Sequence, residues 1–218
     1  MVTFKFGNLI CERWILGPLE VNTYLVYDKN VENALLIDPA DESPELLSHI
    51  RELNLNKILI FLTHGHADHI LGVNFFRKKI PARVMISAED APMLADPHLN
   101  LSSYLGEDLA VEPAENIATE GQKIEIGSFS GELIKIPGHT PGGMILVFPG
   151  AIFSGDTLFA GSVGRSDFPG GDGRALVDGI KTRILSLSDR QVFPGHGPET
   201  TISEEKQNNP FFRTFFSF

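Results

Sequence analysis

One cysteine, Cys11, stands in 218 residues, so no disulfide can form within the chain and the fold has to rest on its core. A chain of this length removes roughly 70% of its unfolded surface from water, which is enough. No apolar stretch approaches the roughly 20 residues needed to cross a bilayer, and no basic segment followed by an apolar run opens the sequence. The expectation is a cytoplasmic protein with no membrane partner. Concentrated positive charge is also missing: 18 Lys and Arg face 28 Asp and Glu for a net charge of −10, and no basic block exists beyond Arg77-Lys78-Lys79. Polyanions are held by neutralising their phosphates, so nucleic acid is excluded as a partner. The basic triplet reads as the solvated C-terminal end of a helix, where cations meet the macrodipole favourably.

What is present is an ordered alternation of strands and helices. Thr3 to Phe6, Arg13 to Leu16, Val21 to Tyr27 and Ala34 to Ile37 are short β-type segments punctuated by Gly, Pro, Asn and Asp, and they read as an antiparallel meander. Ser43-Pro44-Glu45 supplies an N-cap, a proline at N1 and a first-turn acid for an amphipathic helix carrying Leu46, Leu47, Ile50 and Leu53. A buried strand over Lys57 to Leu62 precedes a helix that ends before Pro81. Val84 to Ile86 is then a strand and Ala88 to Ala95 a short helix. From Asp96 to Ala118 the periodicity dissolves into a surface lobe long enough to serve the mouth of a site. Strands return at Lys123 to Ile126, Glu132 to Ile136, Met144 to Phe148, Ala151 to Ser154 and Gln191 to Phe193, with helices over Leu176 to Leu185 and from Ser203 onward. Two β-rich runs, each followed by helices, predict an α/β fold of two packed sheets with helices outside, in a single domain over 1–218. Within it, 202–218 forms a short helix and an aromatic tail containing Phe211, Phe212, Phe215, Phe216 and Phe218. That tail either folds back on the core or covers a second subunit, so a monomer or small homo-oligomer is expected.

The chemistry is concentrated in Thr63-His64-Gly65-His66-Ala67-Asp68-His69, directly after a buried strand. Imidazole and carboxylate are favoured ligands of zinc and similar cations. In extended backbone, residues two apart point the same way, so His64 and His66 can close on one ion. If a helix starts near Asp68, Asp68 and His69 diverge by about 100° and can serve a second ion. Three later fragments repeat the pattern of a strand followed by a Gly-flanked ligand-type residue. They are Ile136-Pro137-Gly138-His139-Thr140-Pro141-Gly142, Phe153-Ser154-Gly155-Asp156-Thr157 and Val192-Phe193-Pro194-Gly195-His196-Gly197-Pro198. Five of the seven histidines fall in these four segments. The other two, His49 and His98, read as ordinary surface residues, on a polar helix face and in the acidic lobe respectively.

An HxHxDH motif followed by a lone His, a lone Asp and a final His resembles the metallo-β-lactamase superfamily over essentially the whole chain. The resemblance implies a four-layer αβ/βα sandwich of two mixed β-sheets flanked by helices, with the metals at one edge of the paired sheets. It implies that His64, His66 and His139 hold one divalent ion, that Asp68, His69 and His196 hold a second, and that Asp156 bridges them. Zinc is the expected metal, and the donor set also accommodates iron or manganese. In this reading Asp68 and Asp156 are the catalytic carboxylates, accepting hydrogen bonds from a hydroxide shared by the two ions and so orienting it.

Within the superfamily, Leu158 to Phe168 and the ending Asn209-Pro210-Phe211-Phe212-Arg213 look like the small glyoxalase II-like proteins. That branch consists of hydroxyacylglutathione hydrolases, which cleave S-lactoylglutathione. The implied activity is hydrolysis of a small-molecule acyl thioester, with Arg165 as a substrate contact able to hold a carboxylate or carbonyl. The larger enzymes of the branch carry a tyrosine two residues after the last ligand histidine, where this chain has Pro198, and a longer basic C-terminal region, where this chain has 22 residues after His196. An iron-dependent persulfide dioxygenase is the alternative enzyme class. Its last motif usually reads Pro-Ala-His-Asp, whereas Pro194-Gly195-His196-Gly197 stands here. A catalytically idle metal-binding interaction module is the third reading, opposed by the complete ligand set.

Overall fold

The computed structural model describes residues 1–106 and 108–212. Seven strands form the first sheet in chain order: β1 (Val2–Phe6), β2 (Leu9–Leu16), β3 (Val21–Asp28), β4 (Asn33–Ile37), β5 (Lys57–Phe61), β6 (Ala82–Ser87) and β7 (Asn116–Ala118). The first four pair antiparallel, as the meander reading requires. β4 to β7 then pair parallel, because helices intervene and cover the outer face. The second sheet is built from β8 (Lys123–Ile126), β9 (Phe129–Lys135), β10 (Met144–Val147), β11 (Ala151–Gly155), β14 (Gln191–Pro194) and β15 (Thr200–Thr201), in the order β15-β14-β11-β10-β9-β8. A two-stranded ribbon, β12 (Leu158–Phe159) with β13 (Ser162–Val163), stands beside it.

Side-chain alternation along the strands separates three apolar layers. Leu35 and Ile37 of β4 face Phe153 and Phe193 of the second sheet, whereas Ala34 and Leu36 face Leu46, Leu47 and Ile50 of α1 (Pro44–Glu52) and Phe76 of α3 (Val73–Lys79). On the far side, Ile145, Ile152 and Val192 pack against Leu176 of α4 (Gly173–Gly179) and Ile202 of α5 (Ile202–Asn208). The result is helices, sheet, sheet, helices. Every residue of β3 is buried, which a strand covered on both faces requires. Among the described residues no helix is long and apolar enough to cross a membrane.

Several local expectations shift. β2 starts at Leu9, four residues early, because Leu9 and Cys11 belong to the core between the sheets. The helix expected before Pro81 is two pieces, α2 (Ala67–Ile70) and α3, parted at Gly72. A Cβ on Gly72 would lie 2.4 Å from the Asp41 carbonyl oxygen, and its N–H donates to Pro39, so the chain is pressed against the β4–α1 loop there. Ala88 to Ala95 contains only a 3₁₀ turn, Ala91–Leu94. The helix after Gly173 continues as a π-helical turn, Ile180–Ile184. The last helix is capped by Thr201, whose side chain accepts from the Glu204 N–H, two residues before the expected Ser203. The lobe from Asp96 is structured: it holds a 3₁₀ turn, Ser102–Leu105, and ends in β7. Arg77 is more than a solvated helix end, since it ion-pairs with Glu115 and donates to the Glu112 carbonyl, tying the lobe to α3. Phe212 packs against the third apolar layer and Phe211 is half exposed, while Phe215, Phe216 and Phe218 lie outside the described residues.

Candidate metal centre

The parallel pairs β4/β5 and β11/β14 end at one edge of the sandwich, and this places their following residues together. β4 delivers Asp38, β5 and α2 deliver His64, His66, Asp68 and His69, β11 delivers Asp156, and β14 delivers His196. β9 runs in the same direction as β11, so the turn after it brings His139 to the same edge. All seven residues singled out as ligands in the sequence meet here.

They meet in two groups. His64 Nε2 and His66 Nδ1 stand 3.2 and 2.9 Å from His139 Nε2. Asp68 Oδ2 stands 3.3 Å from His196 Nε2 and 3.8 Å from His69 Nε2. Within each triad the potential ligand atoms lie inside 4.8 Å of one another. Asp156 sits between the triads, with Oδ1 3.3 Å from His69 Nε2 and Oδ2 3.6 Å from both His139 Nε2 and His196 Nε2.

Four of the five rings have their outward nitrogen engaged, and this fixes which nitrogen of each faces inward. His139 Nδ1 donates to the Arg165 carbonyl at 2.7 Å, and His196 Nδ1 to the Leu19 carbonyl at 3.1 Å. His69 Nδ1 lies 2.9 Å from Asp38 Oδ2. The Thr63 hydroxyl donates to Asp38 Oδ2 at 2.6 Å, so its oxygen is left to accept from His64 Nδ1 at 3.1 Å. His64, His69, His139 and His196 therefore turn Nε2 inward. Two buried atoms, His69 Nε2 and Asp156 Oδ1, have no hydrogen-bond partner in the protein. Buried polar atoms left without partners are costly unless something binds between them, and imidazole with carboxylate is a donor set for first-row divalent cations. The residues fit a two-cation centre.

Charge is distributed unevenly across it. Burial pushes the His66 imidazole down to about 3 and His64 well below its usual value, so these two rings of the three-histidine group are neutral at neutral pH. His196 is raised by its hydrogen bond to Asp68. Burial would lower His69, but Asp156, Asp68 and Asp38 outweigh it and hold the ring protonated in the absence of a cation. Burial likewise opposes ionisation of Asp156 and Asp68, and the facing histidines prevail, keeping both carboxylates below their usual range.

Sequence reasoning missed the supports. Asp38, 1% exposed, accepts from the Thr63 N–H as well as the groups above. Asn22 donates to the Pro194 and Gly197 carbonyls and Tyr24 to Pro194, holding the His196 loop to the end of β3. Asp90 accepts from the Thr140 hydroxyl and the Gly142 N–H, holding the His139 loop. Gly195 leaves the space that Asp156 and His69 occupy, since a Cβ there would stand 2.3 Å from Asp156 Oδ1. Arg165 lies at the cavity mouth, but its guanidinium pairs with Asp167 at 2.9 and 2.8 Å and stacks over Phe168. Of the two histidines outside the motifs, the exposed His98 ring meets Ser103 within its own lobe, whereas His49 is more than a polar-face residue: it reaches buried Glu12 at 2.7 Å and fastens α1 to β2.

Comparison with known proteins agrees with this architecture. The family model for the metallo-β-lactamase superfamily matches residues 16–196. The chain is 36% identical to hydroxyacylglutathione hydrolase GloC of Haemophilus influenzae over 198 residues, covering 88% of this chain and 93% of that one. Among solved structures it is similar to BLEG-1 B3 metallo-β-lactamase, with a TM-score of 0.88 at 35% identity over 94% of this chain and 100% of that one. It is similar also to TTHA1623 in a di-iron-bound form, with a TM-score of 0.79 at 36% identity over 92% and 99% of the two chains. Two sheets, two triads of ligand atoms at their common edge and a family match across most of the sequence have one conclusion: the chain belongs to the metallo-β-lactamase superfamily.

Proposed function

We propose that the chain is a binuclear metal-dependent hydrolase that cleaves an acyl thioester such as S-lactoylglutathione. The observation that carries the proposal is the convergence of two three-donor groups on one carboxylate, Asp156. The relative named hydroxyacylglutathione hydrolase supports the thioester class. His64, His66 and His139 would hold one cation, Asp68, His69 and His196 the other, and Asp156 would contribute an oxygen to each. Zinc is the metal proposed, and iron, as in the related di-iron form, suits the same donors. Such a pair supplies Lewis acidity, lowering the pKa of water toward neutrality and polarising a carbonyl.

The protein's own part is positional. Asp68 and Asp156, ionised and facing the cavity, can accept hydrogen bonds from an attacking water and so fix its direction. The outward hydrogen bonds of the histidines hold the inward nitrogens in place without reorganisation. No serine or cysteine nucleophile is required, and Cys11 is buried between the sheets.

The test is elemental analysis of one preparation assayed in parallel for S-lactoylglutathione hydrolysis and for oxygen uptake with glutathione persulfide. Two metal equivalents with hydrolysis are expected, and oxygen uptake without hydrolysis would replace this reading by a dioxygenase. Asp156→Ala should lower metal content and reduce hydrolysis by at least about 100-fold, the upper end for disturbing a ligand's support. An Asp156→Ala protein that retained both metals would remove the bridging role.

The two triads should also differ toward protons. A cation entering between His64, His66 and His139 meets two rings already neutral, whereas one entering beside His69 and His196 displaces protons from rings whose pKa values are raised. Calorimetric titration of metal-stripped protein with Zn²⁺ near pH 6.5, the ordinary histidine value, in two buffers of different ionisation enthalpy should show the greater proton release at the step beside His69 and His196. The affinity of that step should fall as pH falls. Equal proton release at both steps would contradict the assignment.

A further inference from the structure

Resting on the thioesterase reading, we infer that the cavity over the centre is a hydrophobic slot, and that the thioester it serves carries a bulky apolar group, aromatic or branched-alkyl, beside the scissile carbonyl. The cavity holds about 660 Å³, with His66, Asp68, His139, Asp156 and His196 as its floor. Its walls are mainly hydrocarbon, from Leu19, Leu101, Tyr104, Phe159, Val163 and Phe168, with Asn100 and Ser162 as the neutral polar members. Hydrocarbon flanks the floor on both sides: the Phe168 ring centre is 5.6 Å from that of His66, and the Phe159 ring centre 6.2 Å from that of His196. A carbonyl set over the donors therefore has carbon on either hand. A three-carbon hydroxyacyl group would leave most of that hydrocarbon uncovered.

The wall at Leu101 is held at a cost. Leu101 has φ 71° and ψ 4°, left-handed geometry that disfavours an L residue. Neighbouring Asn100 imposes it: fully buried, its side chain donates to the Met93 and Leu109 carbonyls and accepts from the Ser102 N–H. The Asn100 carbonyl in turn accepts from the Ala67 N–H, inside the metal loop. A glycine or asparagine would relieve the backbone, yet the position presents a branched hydrocarbon to the cavity. Also lining the cavity, Leu19 is 49% exposed and Tyr104 75% exposed, apolar surface that a matching ligand would cover.

Charge points the same way. Among the described residues lining the cavity Arg165 is the sole Lys or Arg, and Asp167 holds its guanidinium by two hydrogen bonds. A chain of net charge −10 exerts no general attraction on an anionic carrier. Recognition therefore falls to the apolar side of the substrate.

The test compares phenylacetyl and lactoyl thioesters of one small neutral carrier, N-acetylcysteamine, with the metal-loaded full chain. The phenylacetyl ester should be preferred in kcat/KM by about tenfold or more, the discrimination a hydrophobic pocket supplies. Leu101→Asn, which keeps the left-handed geometry accessible, and Leu19→Ser, on an exposed turn, should each move that ratio toward one. Equal or better use of the lactoyl ester, or a ratio unmoved by both variants, overturns the inference. If neither ester is hydrolysed, the thioesterase reading fails by itself. The slot is then judged by calorimetric binding of the unreactive S-phenethyl and S-(2-hydroxypropyl) thioethers of the same carrier. Tighter phenethyl binding upholds it, and equal or absent binding overturns it.

Discussion

Asp38→Asn should strip the cation held beside His69 while leaving the fold largely intact, and Asp38→Ala should do both kinds of damage. Asp38 Oδ1 accepts from the Thr63 N–H, and Oδ2 accepts from the Thr63 hydroxyl and faces His69 Nδ1. An asparagine oriented to keep the Thr63 N–H satisfied would place its NH₂ against His69 Nδ1. The ring would then have to move its proton to Nε2, where it points at the centre and blocks coordination. The Thr63 hydroxyl can rotate to accept, so the wider network survives. Asparagine also tolerates the φ of 47° found at position 38, which alanine does not. Affinity for the second cation should fall about 10–100-fold in Asp38→Asn, the usual effect of losing a ligand's hydrogen-bond partner. In Asp38→Ala a buried pair is broken and the Thr63 donor is orphaned, so stability should drop by about 3–5 kcal/mol as well. Metal content after dialysis and thermal unfolding of the metal-stripped proteins read the two effects separately. A fully loaded Asp38→Asn protein would show that His69 is oriented by something else.

Asp38 also marks the limit of what the sequence discloses. The seven proposed ligands are legible because each follows a strand inside a segment that combines glycine with histidine or aspartate, a combination a plain solvent-facing turn has no need of. Ile37-Asp38-Pro39 has the same strand-end position but reads as an ordinary turn, because its partners Thr63 and His69 are 25 and 31 residues away. Only the parallel pairing of β4 with β5 brings them together, and that pairing is a property of the whole sheet. The layers are legible for a similar reason: alternation along Ala34 to Ile37 and the helical spacing of Leu46, Leu47 and Ile50 are local. The break at Gly72 is not, since it comes from contact with the Asp41 carbonyl in a different loop. The lobe after Asp96 lacks periodicity because buried Asn100 organises it through side-chain hydrogen bonds rather than through a repeating apolar face.

Asp90→Ala should destabilise the protein about as much as Asp38→Ala, and it should act on the three-histidine group. The carboxylate is fully buried; Oδ2 accepts from the Thr140 hydroxyl and Oδ1 from the Gly142 N–H, both at 2.7 Å, and the Gly65 N–H is a third donor. Gly65 lies between His64 and His66, while Thr140 follows His139, so one side chain joins the two loops whose imidazoles meet. Burial raises the Asp90 pKa despite those donors, a sign that few other groups share the cost of its charge. Alanine would leave three buried donors unsatisfied, for a loss of about 3–5 kcal/mol. Two loops no longer tied at a common point would also lose the 2.9 to 3.2 Å approach of their imidazoles. Asp90→Asn keeps one acceptor, so it should lose less stability yet still loosen the first cation, which Asp38→Asn leaves in place. Metal titration of these two asparagine variants, side by side, should therefore show opposite steps weakened. The same step weakened in both would mean that the two triads do not behave as separate sites, and that Asp156 couples them into one.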